Sequence, residues 1–318
     1  MKNWGKSLIF KEKVFIEKPF IWKGYFEDFL LIKRIEGLRE RTINDYIYHI
    51  NLFFKNYPNI GSFTELSLAV KNYFSKNCAP ATFNIKRAYL KSFFSYLVKE
   101  QIIPKNPIDF PKRKEEAKIY NISEEVLMKL LSLPNKNTFS GLRDHCLILL
   151  TLDTGIRPKE ALNLLPTDIK LSSLEITVRK EVAKTKTSRT SRTLPISPIV
   201  VLHLRKLIRV RPSNWNDDVP IFCSYNGQPM LETSWGHKLK KYRKKLNFSI
   251  TPYSLRHCFA LYYLRSGGNV FTLQRTMRHS DLNMTKRYLA LTTDDLKKQH
   301  QLASPVNLFT QKRVRKIS

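Results

Sequence analysis

The sequence predicts a mainly α, multidomain protein in which a helical N-terminal domain precedes an α+β domain with a small antiparallel sheet. Three observations predict this fold class. The 318 residues exceed the usual size of one domain. Helical periodicity runs through the first hundred residues, and helical stretches alternate with β-rich runs after them. A stretch rich in proline and lysine separates the two patterns.

The first segment, residues 1–24, is predicted to be an N-terminal extension. Its partial alternation in SLIFKEKVFIEK indicates a strand or an extended arm, or a terminal segment that only packs. Residues 25–103 are predicted to form the helical domain. In RTINDYIYHINLFFKNY, apolar residues recur at steps of three and four and form one stripe: Ile43, Ile47, Ile50, Phe54 and Tyr57.

Two further features support helices in residues 25–103. Ser62 followed by Glu65 has the spacing of a capping box, in which each side chain accepts a hydrogen bond from the other residue's backbone. The next helix, ATFNIKRAYLKSFFSYLVKE, directs Leu90, Phe94 and Leu97 inward. The same helix is expected to leave three cations for solvent or phosphate, namely Lys86, Arg87 and Lys91.

Residues 104–118, PKNPIDFPKRKEEAK, lack periodicity and are predicted to be the linker. The second domain is predicted at 119–300, beginning with a helix that Ser123 caps. A break at Thr154 and Gly155 precedes a helix that starts near Pro158. LEITVRKEVAKTK and RTLPIS predict a β-hairpin, and helices are expected near 198, 233, 253, 270 and 283.

Of the chain's overall properties, its net charge says most about the class of partner that it binds. The chain has 56 Lys and Arg against 26 Asp and Glu, a net charge of +30, and such self-repulsion is relieved by a polyanion. The charge is spread along the chain rather than collected on one amphipathic helix, which favours nucleic acid over a membrane surface. The expected phosphate contacts are Lys86, Arg87, Lys91, Lys112, Arg113, Lys114, Lys186 and Arg278.

Other classes of protein fit the sequence poorly. No run reaches the roughly 18 to 20 apolar residues that span a bilayer, and Lys11 and Lys13 interrupt any signal-peptide core. A cytoplasmic protein without a membrane partner is therefore expected. The four cysteines lie far apart without a CxxC pair, so we expect buried apolar fillers rather than a zinc site or a disulfide framework.

Cleaving nucleic acid requires stabilisation of charge on a phosphate, either by metal ions on carboxylates or by fixed cations with a protein nucleophile. The acidic residues form no DxD or HEXXH cluster, so we expect no metal and no cofactor.

Four motifs occur in order along the chain: TGIRPKEALNL, EVAKTKTSRTSRTLPIS, SLRHCFALYYLRSGG and MRHSDLNMTKRY. In order and spacing they resemble the tyrosine recombinases, or phage integrase family. The helical domain resembles that family's core-binding domain, and the second domain its catalytic domain of the DNA breaking-rejoining type.

The resemblance implies roles for five side chains. Arg157 and Arg256 would clamp the scissile phosphate, for which a planar arginine fork is suited. His279 would give the phosphate a further hydrogen bond, and Tyr288, 32 residues after Arg256, would be the nucleophile. A hairpin lysine would protonate the leaving 5′ oxygen. Alternatively, Arg157 only caps a helix or pairs with Glu160.

The choice of lysine stays open. Lys184 stands at the usual distance before the arginine of RTLP if one SRT of the repeated SRTSRT is an insertion, and Lys186 is closer if it is not. We favour Lys184, because AKT best matches the motif. Either lysine could also be a plain backbone contact.

Two positions depart from the family pattern. Tyr253 stands where the second motif normally has its first histidine; a phenol can donate a hydrogen bond to phosphate but does not shuttle protons near neutral pH. Arg278 replaces the glycine that commonly precedes the third-motif histidine, and adds a charge near the phosphate.

The resemblance implies a site-specific recombinase for integration, transposition or resolution that acts on double-stranded DNA recombination sites as a homo-tetramer on synapsed DNA. It would work through a 3′-phosphotyrosine, without metal or ATP. The alternatives are a catalytically impaired accessory DNA-binding protein, which Tyr253 makes conceivable, and a type IB topoisomerase-like enzyme. Residues 301–318 form a basic tail that is expected either to pack on a neighbouring protomer or to be solvated.

Overall fold

The computed structural model describes residues 21–115, 122–180 and 191–279, together with 285, 297, 300, 301 and 304–306. The chain divides into two compact units, which we call the N-terminal unit, Met1–Glu116, and the C-terminal unit, Ala117–Ser318. None of the described helices is both long enough and apolar enough to cross a bilayer.

The described part of the N-terminal unit is helical. Its helices are α1 (Trp22–Ile35), α2 (Glu40–Asn56), α3 (Phe63–Ser75) and α4 (Pro80–Lys99). Aromatic rings fill the core between them. Phe29 meets Phe93 edge-on with ring centroids 5.3 Å apart, and Phe53 meets Phe94 in the same way at 5.8 Å.

The predicted signals in this unit are confirmed. Ile43, Ile50 and Phe54 of the α2 stripe are buried, and the inward residues predicted on α4 are fully buried. The Ser62 hydroxyl accepts from the Glu65 N–H at 3.2 Å, and the Glu65 carboxylate accepts from the Ser62 N–H at 3.2 Å. Two of the free amides at the start of α3 are thereby satisfied.

The described part of the predicted linker, residues 104–115, packs on the N-terminal unit. Ile108 is fully buried, and the Phe110 ring lies 5.1 Å from Phe74. The Asn84 amide donates to the Arg113 carbonyl at 2.9 Å and accepts from its N–H at 2.9 Å. Sparse apolar residues in a proline-rich context carry no periodic signal, so this packing was not predictable from the pattern.

The described C-terminal unit surrounds one buried helix. Its helices are α5 (Glu124–Ser132), α6 (Phe139–Thr154), α7 (Pro158–Leu162), α8 (Pro198–Arg209), α9 (Glu232–Leu246), α10 (Pro252–Arg265) and α11 (Val270–Met277). Helix α6 is buried along most of its length and packs against α8 and α10. Ser123 caps α5 as predicted, and Pro158 opens α7.

A small antiparallel sheet lies beside this core, with strands β1 (Ile169–Lys170), β2 (Glu175–Val178) and β3 (Arg192–Pro195) in sequence order. Ile176 pairs with Leu194 and Val178 with Arg192, so the predicted hairpin is confirmed. The fold class is confirmed as well. The helix expected near 283 lies largely outside the described residues. Three of the cysteines are buried, and Cys78 is half-buried.

Candidate active site

A glycine turn places Arg157 at the start of α7. Helix α6 ends at Gly155, whose φ of 60° is left-handed, and a Cβ at this position would clash with the Phe259 ring. Only glycine fits both constraints without strain. The chain then turns sharply, and Arg157 becomes the N-cap residue of α7, with Pro158 in the first turn.

Glu160 is the anion at the centre of the site. Its carboxylate is 1% exposed, lies 3.0 Å from Arg157 Nη1 and 2.5 Å from Arg192 Nη2, and also accepts from the Arg157 N–H. Burial alone would raise the pKa of Glu160, but Arg192 and Arg157 together hold it below its usual range. The carboxylate is therefore charged, and the predicted Arg157–Glu160 pair is present.

Arg157 and Arg256 are joined to the same turn at the end of α11. The Arg157 Nη2 donates to the Arg278 carbonyl at 2.9 Å. Arg256, in α10 and 5% exposed, donates from Nη2 to the Met277 carbonyl at 2.6 Å and from Nη1 to the Gly155 carbonyl. The structure thus brings together the two arginines that the sequence separates by 99 residues.

His279 is the last residue of this turn, residues 277–279. Arg278 is left-handed, with φ 51° and ψ 52°, and closes α11. The His279 N–H donates to the Gln274 carbonyl at 3.1 Å, and its Nδ1 lies 2.8 Å from the Thr285 hydroxyl. His279 is therefore attached to the same turn whose carbonyls hold Arg157 and Arg256.

Tyr253 lies beside this cluster, in the first turn of α10, one turn before Arg256. It is 44% exposed. Partial burial and then Glu232 raise the pKa of its phenol, whereas Arg256 and Arg157 act in the opposite direction. The phenol is therefore protonated at neutral pH and is a hydrogen-bond donor.

Three predicted residues of the reaction, Lys184, Lys186 and Tyr288, lie outside the described residues. The structure brings together the other four, Arg157, Tyr253, Arg256 and His279.

The residues predicted to contact DNA differ in how exposed their side chains are and in how many contacts those side chains make within the protein. Lys112 and Lys114 are exposed, whereas Lys86, Lys91 and Arg278 are half-buried, and Lys86 lies over the Tyr73 ring at 4.9 Å. Of the three cations that α4 was expected to leave for solvent or phosphate, Arg87 instead donates from Nε to the Phe110 carbonyl at 2.8 Å.

Arg113 is also occupied by the fold. Its guanidinium lies 4.0 Å from the centroid of the Phe83 ring and donates to the Cys78 carbonyl at 3.3 Å. Its other terminal nitrogen donates to the Phe74 carbonyl at 3.5 Å, so the planar fork bridges two backbone acceptors.

Sequence reasoning missed three features. In the sequence, Arg192 was considered only as the arginine of RTLP, from which the distance to the lysine is counted. Helix α9 ends in exposed cations, namely Lys240, Lys241, Arg243, Lys244 and Lys245. The exposed positions of α2 include one polar stripe: Arg41, Asn44, Tyr48, Asn51 and Lys55. The periodicity that gave the buried α2 stripe also places these residues on the opposite face, so that signal was available.

The chain matches the model of the Phage integrase family over residues 120–294. Tyrosine recombinase XerC of Psychromonas ingrahamii is 30% identical over 282 residues, which cover 85% of this chain and 92% of the relative. XerC of Leptospira interrogans is 26% identical over 289 residues, covering 86% and 90%.

Solved structures share the fold. The Tn1549 transposon integrase in complex with a circular intermediate DNA has a TM-score of 0.69 at 20% identity and covers 87% of this chain and 99% of its own. A lambda integrase dimer bound to a COC′ core site has a TM-score of 0.69 at 16% identity, covering 86% and 78%. At these identities the likeness is one of fold.

Proposed function

We propose the roles of individual residues in this chain, which belongs to the phage integrase family and is a tyrosine-type site-specific recombinase that cleaves and rejoins DNA. Tyr288 attacks the scissile phosphorus through its phenol oxygen. A 3′-phosphotyrosine forms, the bond to the 5′ oxygen breaks, and a 5′-hydroxyl leaves. Because the phosphodiester becomes another phosphoester, religation needs no ATP. The fixed cations of the site supply the charge that a metal ion would otherwise supply.

The observation that supports this proposal is the convergence of Arg157, Arg256 and His279 on the turn at residues 277–279. Arg157 and Arg256 donate to adjacent carbonyls of that turn, and His279 belongs to it. Arg157 uses two nitrogens for Glu160 and Arg278, and its side chain is 15% exposed. Since a guanidinium has five N–H donors, it can hold these partners and reach a non-bridging oxygen.

The leaving 5′ oxygen requires a proton, which we assign to Lys184, a residue that lies between β2 and β3 in the sequence. Lys186 is the alternative donor in the same segment, and otherwise a phosphate contact. Tyr253 donates a hydrogen bond from its protonated phenol to the phosphate. Its position one turn before Arg256, within the electrostatic influence of Arg256 and Arg157, supports this assignment.

We assign base contacts to the polar stripe on α2. Asparagine can pair with adenine, arginine can pair with guanine, and a helix fits the major groove of B-DNA. Arg41 and Lys55 stand at the two ends of this exposed stripe, where they would reach the phosphates flanking a groove. The cations of α9 and the exposed Lys112 and Lys114 add phosphate contacts.

We further propose that four protomers assemble on two synapsed duplexes in the cytoplasm. Residues 25–103 would act as the core-binding domain and residues 119–300 as the catalytic domain. Particle masses of the protein on its target duplex would test the assembly: four protomers with two duplexes are expected, and one or two protomers under all conditions would contradict it.

Covalent capture tests the proposed chemistry. The full-length protein is incubated with a library of nicked random duplexes in EDTA without nucleotide, and DNA that stays attached after denaturation is sequenced. We expect one enriched target, and no attachment with Tyr288→Phe. Absence of any attached DNA with the wild type would contradict the enzymatic function. Attachment that persists with Tyr288→Phe would remove Tyr288 as the nucleophile.

A further inference from the structure

Two arginines flank residues 181–190, the segment that carries the predicted lysines and lies outside the described residues. Strand β2 ends at Val178, which pairs with Arg192 at the start of β3. Arg179, the residue after Val178, donates from Nε to Asp168 at 3.0 Å and from Nη2 to the Asn163 carbonyl at 2.7 Å. The β2 side of the hairpin is therefore attached to the rest of the unit at Arg179.

Arg192 makes the deeper of the two attachments. Its side chain is 9% exposed; Nη2 lies 2.5 Å from Glu160 Oε2, and Nη1 donates to the Thr276 carbonyl. One side chain thus links the hairpin to α7, which begins after Arg157, and to α11, which ends just before His279. Its two terminal nitrogens therefore attach the start of β3 to two other elements at once.

Stability is a weak explanation for this buried cation. Replacing a buried ion pair with apolar residues of similar volume is often neutral or stabilising, because both charges lose their hydration. The Nε of Arg192 is buried and has no hydrogen-bond partner among the described residues, which adds to that penalty. Burial also lowers the pKa of Arg192, although Glu160 opposes the shift. A positional role explains the arginine better.

We propose that Arg192 is a positioning residue for the leaving-group side of the reaction, because it fixes the base of the lysine hairpin against the elements that hold the phosphate. The inference rests on the proposed function. Without Arg192, Arg157 would keep its bonds to Glu160 and to the Arg278 carbonyl. The start of β3, in contrast, would lose its side-chain bonds to both α7 and α11. The predicted defect is therefore in delivery of the lysine proton.

The chemistry of the leaving group offers a direct test. In the natural step the Tyr288 phenol loses its proton to solvent and its oxygen bonds to phosphorus, the bond from phosphorus to the 5′ oxygen breaks, and the lysine ammonium gives a proton to that oxygen. When sulfur replaces the 5′ oxygen, the leaving group is a thiolate. A thiol has a pKa near 8.5, so this group leaves without a proton. A defect in proton delivery should therefore disappear with a 5′-bridging phosphorothiolate duplex.

The experiment compares single-turnover cleavage of two duplexes of the captured target sequence, one with the natural phosphodiester and one with the 5′-bridging sulfur. For Arg192→Gln in the full-length protein, we expect cleavage of the natural duplex to slow about 10- to 100-fold, the range that a misplaced group produces. On the sulfur duplex we expect a rate within about threefold of the wild type, since the proton is not needed. Arg157→Gln should be slow on both.

Arg205→Gln is the matched control, because Arg205 is an exposed arginine on α8. This variant should cleave both duplexes at the wild-type rate. Arg192→Lys retains the charge without the fork and should show a smaller defect with the same rescue, which keeps the test open if Arg192→Gln folds poorly. Equal slowing of an Arg192 variant on both duplexes, or no slowing on either, would overturn the inference. Wild-type protein that attaches to no DNA would instead contradict the proposed function.

Discussion

Arg157 is held in place by the protein before any phosphate is bound. Glu160 and the Arg278 carbonyl take its two terminal nitrogens, and the pKa of Glu160, lowered by Arg192 and Arg157 against the effect of burial, keeps the carboxylate charged. A prepositioned cation needs little reorganisation when charge develops in the transition state. The pair with Glu160, which the sequence offered as an alternative to catalysis, is therefore compatible with it.

Tyr253 replaces a histidine of the family pattern, and its proposed role is to donate a hydrogen bond. We predict that Tyr253→Phe slows single-turnover cleavage about tenfold or more, because a hydrogen bond to a charged group contributes about 1.5 to 3 kcal/mol. Tyr253→His should retain activity, since imidazole supplies the same donor. Identical cleavage rates for the wild type and both variants would remove Tyr253 from the site.

Because His145 is buried, we predict that the folded protein loses stability in mild acid. The side chain is buried, and its Nδ1 lies 2.9 Å from the Leu131 carbonyl. Burial lowers its pKa in the folded protein; the bond to the Leu131 carbonyl opposes this shift, and the nearby His203 and Lys136 add to it. The unfolded chain, with a histidine pKa near 6.5, therefore binds this proton first as the pH falls. Stability from this group is complete above about pH 6.5 and decreases below it, towards the folded-state pKa.

Urea denaturation between pH 7.5 and 5.5 would measure this effect. We expect His145→Gln to lose less stability over the interval than the wild type. His237→Gln is the matched control, because His237 is exposed on α9, and its pH dependence should equal that of the wild type. A His145→Gln curve parallel to that of the wild type would contradict the assignment.

At the scale of the element, the sequence predicted structure wherever apolar residues repeat or a cap is present. Helix α2, the Ser62 capping box and the hairpin of β2 and β3 are confirmed because each depends on local periodicity or on a local hydrogen bond. Packing of residues 104–115 on the N-terminal unit was missed because it depends on a few non-periodic contacts, such as Ile108 in the core. Local pattern carries no information about such distant partners.

The polar stripe of α2 leads to a prediction about specificity. Asn44→Ala with Asn51→Ala should reduce affinity for the target duplex by about 1 to 3 kcal/mol for each lost base contact, and should leave affinity for random duplex almost unchanged. Lys55→Ala should weaken both, since a phosphate contact carries no sequence information. Competition binding at fixed salt would measure the difference.

Asn72→Ala is the control, since Asn72 is an exposed asparagine on α3, outside the stripe. It should bind both duplexes as the wild type does. If the Asn44 and Asn51 substitutions reduced affinity equally for target and random duplex, the stripe would not read bases.

At the scale of the whole molecule, the net charge of +30 and four ordered motifs were sufficient to predict an enzyme acting on DNA. The order of the motifs could not show how the arginines are held. The carbonyls of Met277 and Arg278, and the bridge from Arg192 to Glu160, depend on the packing of α7, β3, α10 and α11. These contacts join residues up to 121 positions apart, and they became evident only in the folded chain.

The most direct test of the central claim is to locate the residue that carries the DNA after covalent capture. Nuclease and trypsin digestion of the adduct should give a nucleotide on YLALTTDDLK, residues 288–297, in which Tyr288 is the only tyrosine. Mass spectrometry should find a phosphate that joins the Tyr288 oxygen to the 3′ oxygen of a nucleotide. The released strand should carry a 5′-hydroxyl. A nucleotide on LNFSITPYSLR, residues 246–256, which contains Tyr253, or on any other peptide, would contradict the account.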